Sequence, residues 1–163
     1  MRSYVFRRFM IPTTYLVIGT TSLAYGGTLV LNYLAELVIR LVSSVVFILT
    51  IIAMVKVHSM YPKKHDLPSD FPKLLREGPY AVVRHPLYAL VITNQLSIPA
   101  FMLSLWGLIT FLACLPLWYV LIRLEERELI DYWGEEYLRY MREVPSIIPI
   151  PRRFRRGGSG GNS

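Results

Sequence analysis

The chain has 163 residues, a formal net charge of +7 and 53% hydrophobic residues, with a mean hydropathy of +0.40. That length fits one domain rather than two. One cysteine, Cys114, excludes an internal disulfide, and the concentration of apolar residues into uncharged runs sets the chain apart from ordinary soluble proteins.

No Asp, Glu, Lys or Arg occurs from Phe9 to Ala35, from Leu41 to Val55, or from Pro86 to Ile122. A helix crosses a bilayer with roughly 20 apolar residues. The first run predicts a helix over 11–31, too long for a signal peptide and without a clear small-residue cleavage site. Gly19, Gly26 and Gly27 in it suit close helix packing. The second run, extended through Leu37, Val38 and Ile39, predicts a helix over 35–58, with Glu36 and Arg40 spaced as an i,i+4 pair near its outer end. A loop over 59–85 follows, rich in proline and charge. At about 25 residues it is longer than a mere connection needs, and Lys63, Lys64 and Lys73 suit anionic headgroups.

The third run is long enough for two short spans joined by a tight turn, predicting helices over 86–99 and 104–133. The second of these carries Pro116 and continues past Ile122 into RLEERELIDYW, leaving the bilayer for water. Gly134 stops it, and EEYLRYMREV reads as a short amphipathic helix over 135–143. GGSGGNS, residues 157–163, reads as an appended linker, which leaves 1–156 as a single membrane-embedded domain. The expected fold is all-α: an integral membrane bundle of four transmembrane helices with a short cytoplasmic C-terminal helix. A buried soluble core is the other reading of the same runs.

The charge follows this map. Of the 18 Lys and Arg residues, only Arg40 falls on the side opposite the N-terminus, the long loop and the tail. The positive-inside rule makes the basic side cytoplasmic. Sidedness thus accounts for the positive charge without nucleic acid, and both termini are expected in the cytoplasm.

The stretch GPYAVVRHPLY, residues 78–88, stands just before the third run. Pro86 suits the first turn of a helix, and the residue before it, His85, is pushed to extended geometry. Arg84 and His85 therefore flank a helix N-terminus, whose free N–H groups and positive dipole end suit an anion. Tyr80 and Tyr88 add flat amphipathic surfaces. The plainer reading is that Arg84 and His85 mark the interface and Tyr88 belongs to an aromatic belt. A second cluster, Arg123, Glu125 and Glu126, lies where the fourth helix leaves the bilayer. Carboxylates near lipid tend to be functional or paired; the plainer reading is a solvated face of salt bridges. A hairpin of the third and fourth helices returns position 123 beside position 86, so the two clusters should meet at the mouth of one bundle.

GPYAVVRHPLY followed by RLEERELIDYWGEEYLRYMREVPSIIP resembles the isoprenylcysteine carboxyl methyltransferase family and related phospholipid methyltransferases, over residues of about 65–149. The resemblance implies a membrane-embedded enzyme that uses S-adenosylmethionine, releases S-adenosylhomocysteine, and acts on a lipophilic or prenylated acceptor reached from the membrane lipids. By position it implies cofactor contacts at Leu74, Leu75, Tyr80, His85, Pro86, Leu87, Tyr88 and Glu125, with Arg84 beside them and His65 and Pro72 as further loop positions. The family's substrate-binding arginine position is Leu121 here, and the nearest arginine, Arg123, stands about 200° around an ideal helix. Arg123 and Glu126 are the expected positioning residues. A carboxylate acceptor needs no base; an amine would need one, for which Glu126 or His85 could serve. No metal site is expected from His58, His65 and His85, which are scattered in sequence. The competing readings are a membrane reductase of the sterol-reductase type using NADPH, and a non-enzymatic four-helix transporter or scaffold.

Overall fold

The computed structural model describes residues 3–61 and 67–149. His65, Lys63, Lys64 and the linker at 157–163 lie outside the described residues. Five α-helices make up the fold: α1 (Ser3–Ala24), α2 (Tyr33–His58), α3 (Pro86–Met102), α4 (Leu105–Trp133) and α5 (Glu135–Glu143). Two short 3-10 turns, Pro68–Asp70 and Gly78–Ala81, punctuate the loop between α2 and α3. No strand occurs among the described residues. Helices α1, α3 and α4 pack against one another, α2 lies against α3, and α5 docks on the end of α4. Of these, α2 and α4 are long and apolar enough to cross a membrane.

Helix α1 begins and ends about seven residues earlier than the expected 11–31. Its start is earlier because Pro12 lies inside the helix rather than opening it. Proline removes one N–H, which takes from the Arg8 carbonyl its donor four residues on. Its end is earlier because Gly27 adopts a positive φ of 71°, and the chain turns to bond with the α3–α4 corner. There the Gly27 N–H meets the Met102 carbonyl and the Leu29 N–H the Leu103 carbonyl, each at 2.9 Å. Asn32 then caps α2, its side chain accepting the Ala35 N–H at 2.8 Å. Helix α3 runs on to Met102, with Pro99 in its last turns. Arg40 does not pair with Glu36 as expected. Its guanidinium bonds to the Phe101 carbonyl at 2.9 Å and lies over the Phe101 ring, capping the exposed end of α3.

A polar network at the centre joins the first four helices. Tyr15 of α1 donates to Asn94 of α3 at 2.8 Å, and Asn94 donates to Thr50 of α2 at 2.9 Å and to the Phe47 carbonyl at 3.2 Å. Next along α3, Gln95 donates to Thr14 of α1 at 2.7 Å and accepts from the Trp118 indole of α4 at 3.2 Å. Asn94 and Gln95 are buried, and polar pairs of this kind hold helices together where water does not compete. Just inward of them, Met10, Tyr88, Val91, Trp118, Leu121 and Ile122 form the apolar core.

Helices α1 and α4 approach most closely at Gly107, where a Cβ would overlap the Ser22 hydroxyl and stand 2.9 Å from the Pro99 Cβ. Gly107→Ala is expected to destabilise the bundle by about 1–3 kcal/mol, measured as a lower thermal midpoint in detergent, whereas Gly19→Ala, which meets nothing within 4 Å, should leave it unchanged.

Candidate active site

Three segments meet where α3 begins. Pro86 at the first helical position has no N–H to satisfy, and His85 before it, at φ −121° and ψ 63°, departs from the extended geometry expected there. The Arg84 and His85 N–H groups bond to the carbonyls of Pro145, at 2.8 Å, and Ser146, at 3.0 Å. The Arg84 side chain completes the junction. Its Nε and Nη2 reach Glu126 Oε1 at 3.1 and 2.5 Å, and its Nη1 donates to the carbonyls of Met141, at 3.1 Å, and Val144. The two charged side chains are 9% and 4% exposed, so this is a buried pair with nearly all its hydrogen-bonding capacity used. His85 stands beside it, Nε2 3.4 Å from the same Glu126 oxygen, with its ring stacked on Tyr88 at 5.6 Å. Arg84 therefore differs from the anion-binding group its charge suggested: its donors are committed to Glu126 and to the carbonyls of Met141, in the last turn of α5, and Val144, just after it.

A cleft lies against this junction, with about 610 Å³ of empty space that includes open solvent. Leu74 and Leu75 of the loop, Tyr80 of the second 3-10 turn, and Arg84, His85, Leu87 and Tyr88 around the start of α3 all border it. So does Glu125, from the second half of α4. Pro86 is buried and does not border it; it sets where α3 starts. Pro72 is exposed and outside it. Glu126 is 3% exposed and sits behind the wall, on Arg84. Arg123 turns away, its guanidinium over the Tyr119 ring and 3.6 Å from Glu126 Oε2. Leu121 is fully buried in the apolar core.

The sequence reading missed the aromatic share of the cleft. Trp133 of α4, Tyr137 and Tyr140 of α5, and Tyr61 and Phe71 of the loop border it as well. The signal lay in α5, where tyrosines spaced i,i+3 mark the buried stripe of an amphipathic helix. The Tyr140 hydroxyl donates to the Tyr80 carbonyl and the Tyr80 hydroxyl to that of Tyr61, each at 2.6 Å. Burial raises the pKa of Tyr61, Tyr80 and Tyr137 and pushes Tyr140 up to about 12, so these hydroxyls stay protonated near neutrality.

Two buried polar atoms in the cleft wall, the Tyr88 hydroxyl and Glu125 Oε2, make no hydrogen bond of ordinary geometry; the hydroxyl lies close to the Glu125 carboxylate and the Arg7 guanidinium. His85 Nδ1 and Arg7 Nη1 approach the Glu125 carboxylate only at 3.8 and 3.9 Å, beyond hydrogen-bond length. A buried acceptor left unpaired costs about 1–3 kcal/mol, and a cationic or N–H donor on a ligand would satisfy it. With aromatic faces and leucines around it, the cleft fits a molecule carrying both an ammonium group and a flat ring, as S-adenosylmethionine does. No cluster of potential metal ligands occurs among the described residues.

The profile of the isoprenylcysteine carboxyl methyltransferase family matches residues 37–131. The chain belongs to that family. The match takes in α2, the loop, the start of α3 and the Glu125–Glu126 pair, and stops short of α5. Methanethiol S-methyltransferase 1 of Bradyrhizobium diazoefficiens is 38% identical over 74 residues, which are 45% of this chain and 25% of that protein. The chain thus spans about a quarter of the length of this relative. No solved structure matches.

Two outcomes follow from the junction. Arg84→Ala strands the Glu126 carboxylate and releases the carbonyls after α5, and should cost about 3–5 kcal/mol. Hydrogen exchange would read it as lost protection over 135–146, with Glu126→Gln milder. Tyr140 ionises at about 12 in the fold and near 10 in an unfolded chain. Its contribution is complete below pH 10; above that the unfolded chain releases a proton that the folded one retains, so stability falls as pH rises towards 12. Denaturation below and within that window should show a smaller alkaline loss for Tyr140→Phe.

Proposed function

We propose that the cleft holds S-adenosylmethionine and that the protein transfers a methyl group to a lipophilic acceptor, a prenylcysteine carboxylate or a related lipid, leaving S-adenosylhomocysteine. The observation that carries this reading is Glu125 Oε2, buried and without a well-formed hydrogen bond beside the Tyr88 hydroxyl, in a cleft bordered by Leu74, Leu75, Tyr80, His85 and Leu87, cofactor positions expected from the family resemblance. When bound, the cofactor supplies an electrophilic methyl carbon on a sulfonium. Glu125 and Tyr88 hold its polar end, Leu74, Leu75 and Leu87 exclude water, and the tyrosines offer ring faces. Catalysis is then alignment in a dry site, with no covalent nucleophile. The relative's name adds a thiol to the acceptor chemistries open to this chain.

The same reading places all four long helices across the bilayer. At 22 and 17 residues, α1 and α3 span about 33 and 26 Å, and the polar network ties them to α2 and α4. Arg7, Lys56, Arg76 and Arg84 gather at the end that carries the cleft, while Arg40 lies at the other, so the positive-inside rule puts both termini and the cleft on the cytoplasmic side.

Calorimetry on the detergent-purified protein tests the site. S-adenosylhomocysteine should bind with micromolar affinity. Glu125→Ala and Tyr88→Ala should each weaken it by about tenfold or more, and NADPH should not compete. No binding to the folded protein would remove the cofactor assignment, and NADPH binding would favour the reductase reading.

A further inference from the structure

A groove lies between α2 and α3 at the end of the bundle away from the cleft. Ser44, Phe47 and Ile48 of α2 and Ser97, Ile98 and Phe101 of α3 line it, with about 650 Å³ of empty space that includes its open side. It exists because serines stand where larger side chains would fill the gap between the facing helices. Their hydroxyls turn back on their own helices: Ser44 donates to the Arg40 carbonyl at 2.8 Å and Ser97 to the Asn94 carbonyl at 2.6 Å. A hydroxyl has one proton to donate, so these two present only their carbon faces as donors run out. The space suits a hydrocarbon chain.

The groove ends at Arg40. The Phe101 ring that the guanidinium covers, and the Phe101 carbonyl that accepts from its Nη1, belong to the groove wall. Between Phe9 and Val55, and from Pro86 to Ile122, Arg40 is the one Lys or Arg in the sequence. A neutral carbonyl does not balance its charge, and a cation among apolar helix faces needs an anion or water to meet it. Glu36 stands four residues nearer the start of α2, about 6 Å along the axis, and Arg40 turns to Phe101 instead. A guanidinium carries five N–H donors in a planar fork that matches phosphate oxygens. With Nη1 on the Phe101 carbonyl, the edge made by Nε and Nη2 remains for such a group.

We propose that this groove binds one phospholipid of the bilayer, with an acyl chain between α2 and α3 and the phosphate on Arg40. This rests on the placement of α2 and α3 across the membrane given above, and not on the cofactor. The lipid is a resident of the fold rather than a methyl acceptor: Ser97 stands nine residues beyond Tyr88, about 14 Å along α3 from the cleft. Its effect is on α2. That helix has its broad contact with α3 and with no other helix, and it leads into the loop whose Tyr61 and Phe71 border the cleft. A chain seated between α2 and α3 adds apolar contact to both, and so steadies the helix from which that wall of the cleft hangs.

The test is native mass spectrometry of the delipidated protein in detergent, titrated with phosphatidylglycerol. Diacylglycerol of the same chains and glycerol 3-phosphate serve as probes that each lack one part. Wild type should take one phosphatidylglycerol about tenfold or more tightly than either probe, and its thermal midpoint should rise with the lipid. Arg40→Gln should lose the preference over diacylglycerol, and Arg40→Lys should recover part of it. Ser44→Leu, which fills the groove from its rim, should weaken binding by about tenfold, with the lipid-free thermal midpoint held within a few degrees. Diacylglycerol bound as tightly as phosphatidylglycerol, several equivalents bound with equal affinity, unchanged binding by Arg40→Gln, or a dimer that excludes the lipid would each overturn the proposal. Protein that stays in the aqueous phase without detergent would instead remove the membrane placement on which it stands.

Discussion

The buried ion pair between Arg84 and Glu126 is the constraint on which the cleft end of the protein depends. Withdrawing two charges from water costs several kcal/mol per ion, and attraction alone rarely offsets it. Here the guanidinium also meets two carbonyls that follow or end α5, and the neighbouring N–H groups meet two more. One side chain thereby joins the start of α3, the extension of α4 and the last segment of the chain. The third wall of the cleft, Tyr137 and Tyr140, is present because that segment is held.

Adjacent residues on α4 do opposite things, and helix geometry is the reason. Successive side chains stand about 100° apart. Glu126 therefore faces the junction and spends its charge on Arg84, while Glu125 faces the cleft with one oxygen unsatisfied. The identical chemistry of the pair in sequence conceals this division. A carboxylate that holds the scaffold and one that waits for a ligand differ only in where the turn of the helix leaves them.

What could be read from the sequence was what depends on local chemistry. Pro86 as a helix start, Gly134 as a stop and the hairpin that returns Glu125 and Glu126 to His85 all follow from turn residues and helix length, and the geometry agrees. The limits of α1 were not legible, because the uncharged run continues to Ala35 while the helix ends before a glycine with positive φ, and because Pro12 lies within it rather than opening it. The charge of Arg84 was visible but not its commitments, since carbonyls that receive it lie some sixty positions away. Asn94 and Gln95 could be seen as polar residues in an apolar run, but their partners on three other helices could not.

The network around Asn94 and Gln95 has a consequence for recognition. Each hydrogen bond demands a particular rotation and height of its helix, so a shift of one residue on any of the four would leave several buried polar groups without partners. The network is a key that locks register. Tyr88 stands six residues from Asn94 on the same helix, about 9 Å away along its axis. The cleft therefore inherits its shape from the middle of the bundle. It is preorganised before any ligand arrives, and the ordering entropy of its walls is spent during folding rather than during binding.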